Sequence, residues 1–221
     1  MTYKIKKLPS ENMEKWKKLN PNYEFTFSDD EDCKKFIHKH FGRDYLNIFN
    51  SLVWGPNKAD FWRLCKLYIE GGVYADIDLE PFASCDKIIA NNTFISVIAC
   101  FNPESVFQAF IAAPPRSYII NTCLKSFVKN IASMNLFRKG STAPTDDMYK
   151  AVEICLGKKP KPYTQYLIKN KDNIVKERVY FLMELQLNPK KGLDGIYVKN
   201  HNNEIVLKSR FDGYNSWKAS I

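Results

Sequence analysis

The chain has 221 residues and a formal net charge of +9. Hydrophobic content of 45% and aromatic content of 14% fit one globular domain over residues 1–221 and exclude a disordered chain. The basic balance favours anionic partners. The Lys residues are spread (Lys6, Lys7, Lys15, Lys17, Lys18, then Lys158, Lys159, Lys161) and no zinc-finger or RNA-recognition signature appears, so nucleic acid is not the expected partner.

No apolar run reaches the length of a membrane span, and Met1 to Lys7 lack the apolar stretch of a signal peptide. The expectation is a cytoplasmic protein without a membrane span, in the host cytoplasm if viral, or a domain excised from a longer protein. Six scattered cysteines with no Cys-x-x-Cys are read as reduced core thiols, and zinc is not expected. The sequon Asn91-Asn92-Thr93 carries little meaning without secretion.

In chain order, Ser10 caps a helix with Met13, Trp16 and Leu19 on one face, stopped by Pro21. Tyr23, Phe25 and Phe27 alternate with polar residues and predict a short strand. Ser28 and Glu31 form a capping box for a helix burying Phe36, Ile37 and Phe41. The acids Asp29 to Asp32 suit a helix N-terminus better than a metal. His38 and His40 are expected to be exposed. Residues 44–54 are a mixed apolar stretch that can be helical.

Trp54-Gly55-Pro56-Asn57 is a turn into an amphipathic helix carrying Asp60, Phe61, Arg63, Leu64, Cys65 and Tyr68. Gly71 or Gly72 ends it as a left-handed cap. Val73, Ala75, Ile77 and Leu79 then alternate with Tyr74, Asp76 and Asp78, which predicts a strand over 72–78 with both carboxylates on one side, roughly 6.5–7 Å apart. Two such acids repel unless a cation or strong donors stand beside them, and hard divalent ions take carboxylates together with substrate phosphates. Further strands are predicted at 93–100 and 105–113, broken by Pro114-Pro115. A helix follows from Tyr118, then the Lys139–Pro144 loop, a helix at 146–156, and strands at 179–185, 195–198 and 205–207. Helices alternating with strands imply an α/β domain.

The segment from Ala59-Asp60 through Arg63, Gly71-Gly72, Tyr74, Asp76 and Asp78 resembles glycosyltransferase family 32, the sugar transferases with an Asp-x-Asp motif. Trp16 with Asn20-Pro21-Asn22-Tyr23, Gln108 to Pro114, and Ser216-Trp217 resemble weaker family segments. Ala59 stands where the family has Ser, and no His precedes Ser216-Trp217. The chain is also similar to glycosyltransferase domains of large algal DNA viruses. The resemblance implies a single GT-A-like domain with a mixed, mostly parallel central sheet flanked by helices. It implies a retaining glycosyltransferase that moves a sugar from a nucleotide-diphosphate sugar, a UDP-sugar by preference, to a glycan or glycoprotein acceptor. Mn²⁺ or Mg²⁺ would be the cofactor.

On that reading Asp78 and Asp76 are metal ligands, with Asp212 as a further candidate that serves equally as a turn residue before Gly213. Asp60, Arg63, Gly72, Tyr74, Asp76, Asp78 and Trp217 line the donor site. The plain alternatives are an intrahelical Asp60–Arg63 salt bridge, a helix stop at Gly72 and a core Trp217. Lys208 and Arg210 are candidates for the leaving phosphates. Asp146 and Asp147, beside Asp78, are the carboxylates to test for catalysis, or first-turn helix acids. A metal-dependent phosphoesterase and a non-catalytic basic nucleic-acid-binding module are the competing functions. Oligomeric state is open.

Overall fold

The computed structural model describes residues 10–53, 55–100, 102–132, 143–186 and 196–209. Helices α1 (Ser10–Leu19), α2 (Asp30–Ser51) and α3 (Gly55–Glu70) come first. Then follow β1 (Gly72–Ala75), β2 (Glu80–Pro81), α4 (Cys85–Ile89), β3 (Phe94–Ile98), β4 (Val106–Ala113), α5 (Tyr118–Ala132) and α6 (Ala143–Leu156). The chain continues through β5 (Gln165–Lys169), β6 (Val175–Gln186), β7 (Ile196–Lys199) and β8 (Ile205–Ser209).

All the described strands join one sheet in the order β1-β4-β3-β6-β7-β8-β2, with β5 paired to β6. The domain is α/β with a mixed sheet flanked by helices, as expected. The expectation of mostly parallel pairing is corrected: β3 with β6 is the parallel pair, and the other pairs are antiparallel. The reason is connectivity. A parallel pair needs a long crossover, which α5 and α6 supply between β3 and β6, whereas short connections such as β3–β4 and β7–β8 return the chain antiparallel.

The strands at the two ends of this order, β1 and β2, are separated in the chain by Asp76 to Leu79 alone. Five Cα steps from Ala75 to Glu80 span at most about 18 Å. The sheet therefore curls until its edges approach, and the Asp-x-Asp segment is the bridge between them.

Two cores lie on the two faces. The larger holds Phe61, Leu64, Cys65 and Leu67 of α3 with Ile119, Cys123 and Phe127 of α5, against Phe94, Ile98, Ile111, Val179 and Phe181. The smaller holds Trp16 of α1 and Cys85 and Ile88 of α4 against Ile95, Val97, Phe110, Leu182 and Leu207. Adjacent residues such as Phe94 and Ile95, or Phe181 and Leu182, enter opposite cores, as the pleat requires. All six cysteines are free thiols.

Local differences from the sequence reading have physical causes. No strand forms at Tyr23–Phe27; that chain runs as an irregular segment. The Tyr23 amide closes a turn on the Asn20 carbonyl, and its hydroxyl donates to Asp86 Oδ1 at 2.6 Å. The capping box uses Asp29 and Asp32, one residue later than predicted, because an Asp accepts from the helix amides as readily as a Ser. α2 is interrupted at Gly42, whose φ of 79° is left-handed. His38 and His40 are exposed.

Gly71 closes α3, its amide donating to the Leu67 carbonyl at 2.9 Å. Its φ is +68°, and a Cβ there would stand 2.6 Å from the Pro115 nitrogen and 2.9 Å from the Ala113 carbonyl oxygen. Gly72 has a φ of +93° but open space around it. Gly71→Ala is therefore expected to destabilise the fold by about 2 kcal/mol or more, and Gly72→Ala by about 1 kcal/mol. Urea unfolding of the two variants checks this; equal costs would refute the role of the backbone approach at Gly71.

Candidate active site

The Asp-x-Asp segment does not continue β1. The strand ends at Ala75, the Asp76 amide makes one more sheet bond to the Ala109 carbonyl at 2.8 Å, and the chain then turns. The Leu79 amide donates to the Asp76 carbonyl at 3.0 Å, which closes a β-turn over Asp76–Leu79. The predicted strand over 72–78 is corrected accordingly. Leu79 is driven into the smaller core at 1% exposure, while Asp78 stays exposed at the turn.

Helix α1 holds this turn in place. Asn12 Nδ2 donates to the Asp78 carbonyl at 3.1 Å, and Trp16 Nε1 donates to the Leu79 carbonyl at 2.9 Å. Lys15 pairs with Glu80. Asn12, Lys15 and Trp16 lie on one face of the helix at i, i+3 and i+4. Trp16 was legible as an apolar position, but the clamp was missed, because its partners are backbone carbonyls far along the chain.

Arg63 is the hub of the site. It is 5% exposed. Its Nη2 lies 3.0 Å from Asp60 Oδ1 and 3.7 Å from Asp76 Oδ1. Its Nη1 donates to the Gln108 carbonyl at 2.6 Å, and Nε donates to the Ala59 carbonyl at 3.4 Å. The guanidinium also lies over the Tyr74 ring, 4.3 Å from its centre. Tyr74 donates its hydroxyl to Asp76 Oδ1 at 2.6 Å. One buried cation thus joins α3, β1 and β4. The intrahelical Asp60–Arg63 pair exists, but it is one side of this larger network.

Electrostatics follow from the geometry. Burial opposes the charge on Arg63, but Tyr74, Asp60 and Asp76 outweigh it and hold the guanidinium above its ordinary value. Burial, and then Asp76, keep the Tyr74 phenol protonated far above its usual range, so it remains a donor. Burial lifts Asp60 to about 6, with Arg63 pulling down and Asp76 adding to the rise. Asp78 is also raised, by its crowded surroundings and then by the charge of Asp76.

The Asp60 shift has a consequence for stability. Its folded value lies above its unfolded value of about 3.9, so folding takes up a proton between roughly pH 4 and pH 6. This group's contribution to stability is largest below that window and declines as pH rises through it. Urea midpoints measured from pH 4 to 7.5 should carry that decline in the native chain and lack it in Asp60→Asn. An unchanged slope in the variant would refute it.

The described contacts of Asp76 fall on Oδ1, and among the described residues no cation or side-chain donor partners the Asp78 carboxylate. Acceptor oxygens are therefore left open in a pair that already repels. A hard divalent cation fits this set, since it relieves the repulsion and completes its shell with phosphate oxygens and water. Among the described residues no group of three His, Cys, Asp or Glu is arranged to hold a metal by itself. The donor set present thus suits a metal bound jointly with a phosphate-bearing ligand.

Of the sequence candidates, Asp60, Arg63, Tyr74, Asp76 and Asp78 come together. Gly72 does not join them, because it lies at the opposite end of β1 from the acids, paired with Ala113. Asp146 and Asp147 fall in the first turns of α6, with side chains outside the described residues. Asp212, Trp217 and Arg210 also lie outside the described residues. Lys208 sits on β8 opposite Glu80, with its ammonium 5.4 Å from the centre of the Tyr197 ring.

Residues 7–95 match the family model described as the glycosyltransferase sugar-binding region containing DXD motif. This stretch is similar to a glycosyltransferase sugar-binding region. It contains α1, the Asp60–Arg63 helix and the Asp76–Asp78 turn. An initiation-specific alpha-1,6-mannosyltransferase of Candida albicans is 30% identical over 82 residues, covering 36% of this chain and 21% of that protein. An uncharacterised glycosyltransferase, L373, of Acanthamoeba polyphaga mimivirus is 31% identical over 146 residues, covering 59% of this chain and 58% of that protein. A solved structure titled PaToxG Glycosyltransferase aligns with a TM-score of 0.46 at 19% identity, over 65% of this chain and 62% of that one. The chain spans about a fifth of the Candida protein and just over half of the mimivirus protein. The mimivirus relative agrees with the viral resemblance read from the motif. Among the described residues no helix is long and apolar enough to cross a membrane.

Proposed function

We propose that the chain is a metal-dependent glycosyltransferase that moves a sugar from a nucleotide-diphosphate donor to a hydroxyl of a glycan or glycoprotein. The observation that carries this is the open Asp76–Asp78 pair, fixed by the buried Arg63 inside the matched sugar-binding region. The reaction breaks the anomeric C–O bond to the diphosphate, which leaves with the bonding electrons. A C–O bond forms to the acceptor oxygen, and the hydroxyl proton passes to the departing diphosphate or to solvent. Bound Mn²⁺ or Mg²⁺ would neutralise charge on the departing diphosphate as a Lewis acid.

The chain's own residues have distinct tasks in this reading. Asp78 and Asp76 would hold the cation. Tyr74 and Arg63 fix Asp76 through its Oδ1, and Asp60 fixes Arg63. Arg63 acts as a positioning residue, because its nitrogens are committed to the protein and it is buried. The α1 clamp fixes the turn that carries Asp78. Asp146, Asp147, Asp212 and Trp217 are the further residues proposed from the sequence for substitution. The family resemblance favours retention at the anomeric centre. A UDP-sugar is the first donor to test, and the mannosyltransferase relatives add GDP-mannose. A two-metal phosphoesterase would need more ligands than this acid pair.

The test is nucleoside diphosphate release from UDP-glucose, UDP-galactose, UDP-N-acetylglucosamine and GDP-mannose, with Mn²⁺ and with EDTA. Metal-dependent release from one donor is expected. Turnover of simple phosphate esters with none of the sugar nucleotides would overturn the proposal.

A further inference from the structure

Gln108 is 4% exposed, yet among the described residues neither its Nε2 nor its Oε1 has a hydrogen-bond partner. Leaving both ends of a buried amide unsatisfied is costly, and such groups are normally paired. Its main chain is already part of the site. The Gln108 carbonyl accepts from Arg63, and the next carbonyl, of Ala109, accepts from the Asp76 amide.

The sheet around Gln108 departs from regular alternation. Val106 and Ile111 enter the larger core, on the side where α3 packs, while Phe107 and Phe110 lie with the smaller core. Gln108 is two residues from both Val106 and Phe110, which enter opposite cores, so the alternation breaks at this position. Tyr74, paired with Ile111, packs against the larger core, and Asp76 is two residues further along. The pairing is irregular here. From Ile95–Ala112 to Val97–Phe107, β3 advances by two residues and β4 by five. Such a bulge re-aims side chains and recurs next to active sites.

We propose that the Gln108 amide binds the sugar of the nucleotide-sugar donor, through two of its hydroxyls. The proposal rests on the glycosyltransferase reading above. A phosphate offers acceptor oxygens alone and would leave Oε1 unsatisfied. A hydroxyl both donates and accepts, so a pair of sugar hydroxyls satisfies Nε2 and Oε1 together. The donor sugar and the ribose are both bonded directly to the diphosphate, and binding of the free nucleoside diphosphate, which keeps the ribose and lacks the sugar, separates the two; the base lies a ribose away. Gln108 then discriminates between donor sugars, because a buried site built for hydroxyls rejects sugars that do not present them.

The test compares native chain, Gln108→Met and Gln108→Glu in two measurements. The first is binding of each donor and of its free nucleoside diphosphate, with Mn²⁺, by calorimetry. The second is the thermal midpoint of the ligand-free protein. Gln108→Met keeps the volume and removes the unsatisfied amide, so the free protein should be as stable as the native chain or more so. Its affinity for the sugar nucleotide should fall about tenfold or more, while affinity for the free diphosphate holds. Gln108→Glu should lose donor affinity as well, since an ionised carboxylate cannot donate.

Unchanged donor affinity in Gln108→Met, with the native chain binding normally, would overturn this assignment and leave the transferase reading standing. Equal losses for donor and free diphosphate would overturn it in favour of a nucleotide contact. A marked fall in the ligand-free midpoint would overturn it in favour of a structural partner. A native chain that binds none of the donors would overturn both readings.

Discussion

Asp78→Ala should lower sugar transfer by about 100-fold or more while leaving the fold untouched. The expectation follows from the unequal situations of the two acids. Asp78 is exposed, projects from a turn held through its backbone, and has no side-chain partner among the described residues. Removing its carboxylate breaks no described side-chain contact and relieves repulsion with Asp76, so stability should change by no more than about 0.5 kcal/mol. What is lost is the ligand that would hold the cation against the leaving diphosphate. Asp78→Asn should fall nearly as far, since an amide keeps the shape but not the charge. Initial rates at saturating donor and Mn²⁺, with thermal midpoints alongside, check both halves. A large drop in midpoint would mean that Asp78 supports the turn and not the chemistry.

Arg63→Met should have the opposite signature, a loss of stability first. The guanidinium is buried against Asp60, Asp76, the Tyr74 ring and the Gln108 carbonyl. Without it, two carboxylates and a carbonyl lose their common donor. Removing one partner from a buried ion pair costs about 3–5 kcal/mol, a large share of the 5–15 kcal/mol that holds a typical domain. Arg63→Lys should recover part of this at most, because one ammonium cannot span acceptors on three elements. Urea unfolding of Arg63→Met, Asp60→Asn and the double variant gives the coupling directly. The double variant should cost less than the sum of the singles, since Asp60→Asn removes one charge that Arg63→Met strands. An Arg63→Met variant within about 1 kcal/mol of native would refute the hub.

These two substitutions mark the boundary between what the sequence made legible and what it did not. The residues of the site were legible because they are close in sequence. Asp60 and Arg63 share a helix face, and Gly71-Gly72 separates that helix from Tyr74, Asp76 and Asp78. Their bonding was not, because the acceptor that fixes Arg63 is on β4, reached only through sheet pairing. The period-two pattern through Leu79 also extended the strand too far. Alternation continues across a turn when the residue after it is buried, as Leu79 is. Local pattern identified the larger helices and most of the strands, but not the antiparallel order or the curl that brings β1 near β2. Those depend on which strands pair, a choice made by contacts distant in sequence.

Gln108 illustrates the same limit from the other side. Within Val106–Ala113 it is a lone polar residue in an apolar strand, a pattern that invites an edge or solvent-facing reading. Only the three-dimensional surroundings show that it is buried, without a hydrogen-bond partner for its amide among the described residues, and joined by its backbone to Arg63.

Calorimetric titration of UDP-sugars and GDP-mannose into the native chain and Asp78→Ala, with Mn²⁺ and again with EDTA, is the decisive measurement. Binding of one donor by the native chain with Mn²⁺, lost both with EDTA and in Asp78→Ala, is the expected result. Donor binding that survives EDTA or the Asp78→Ala substitution would contradict a site built on the Asp76–Asp78 turn.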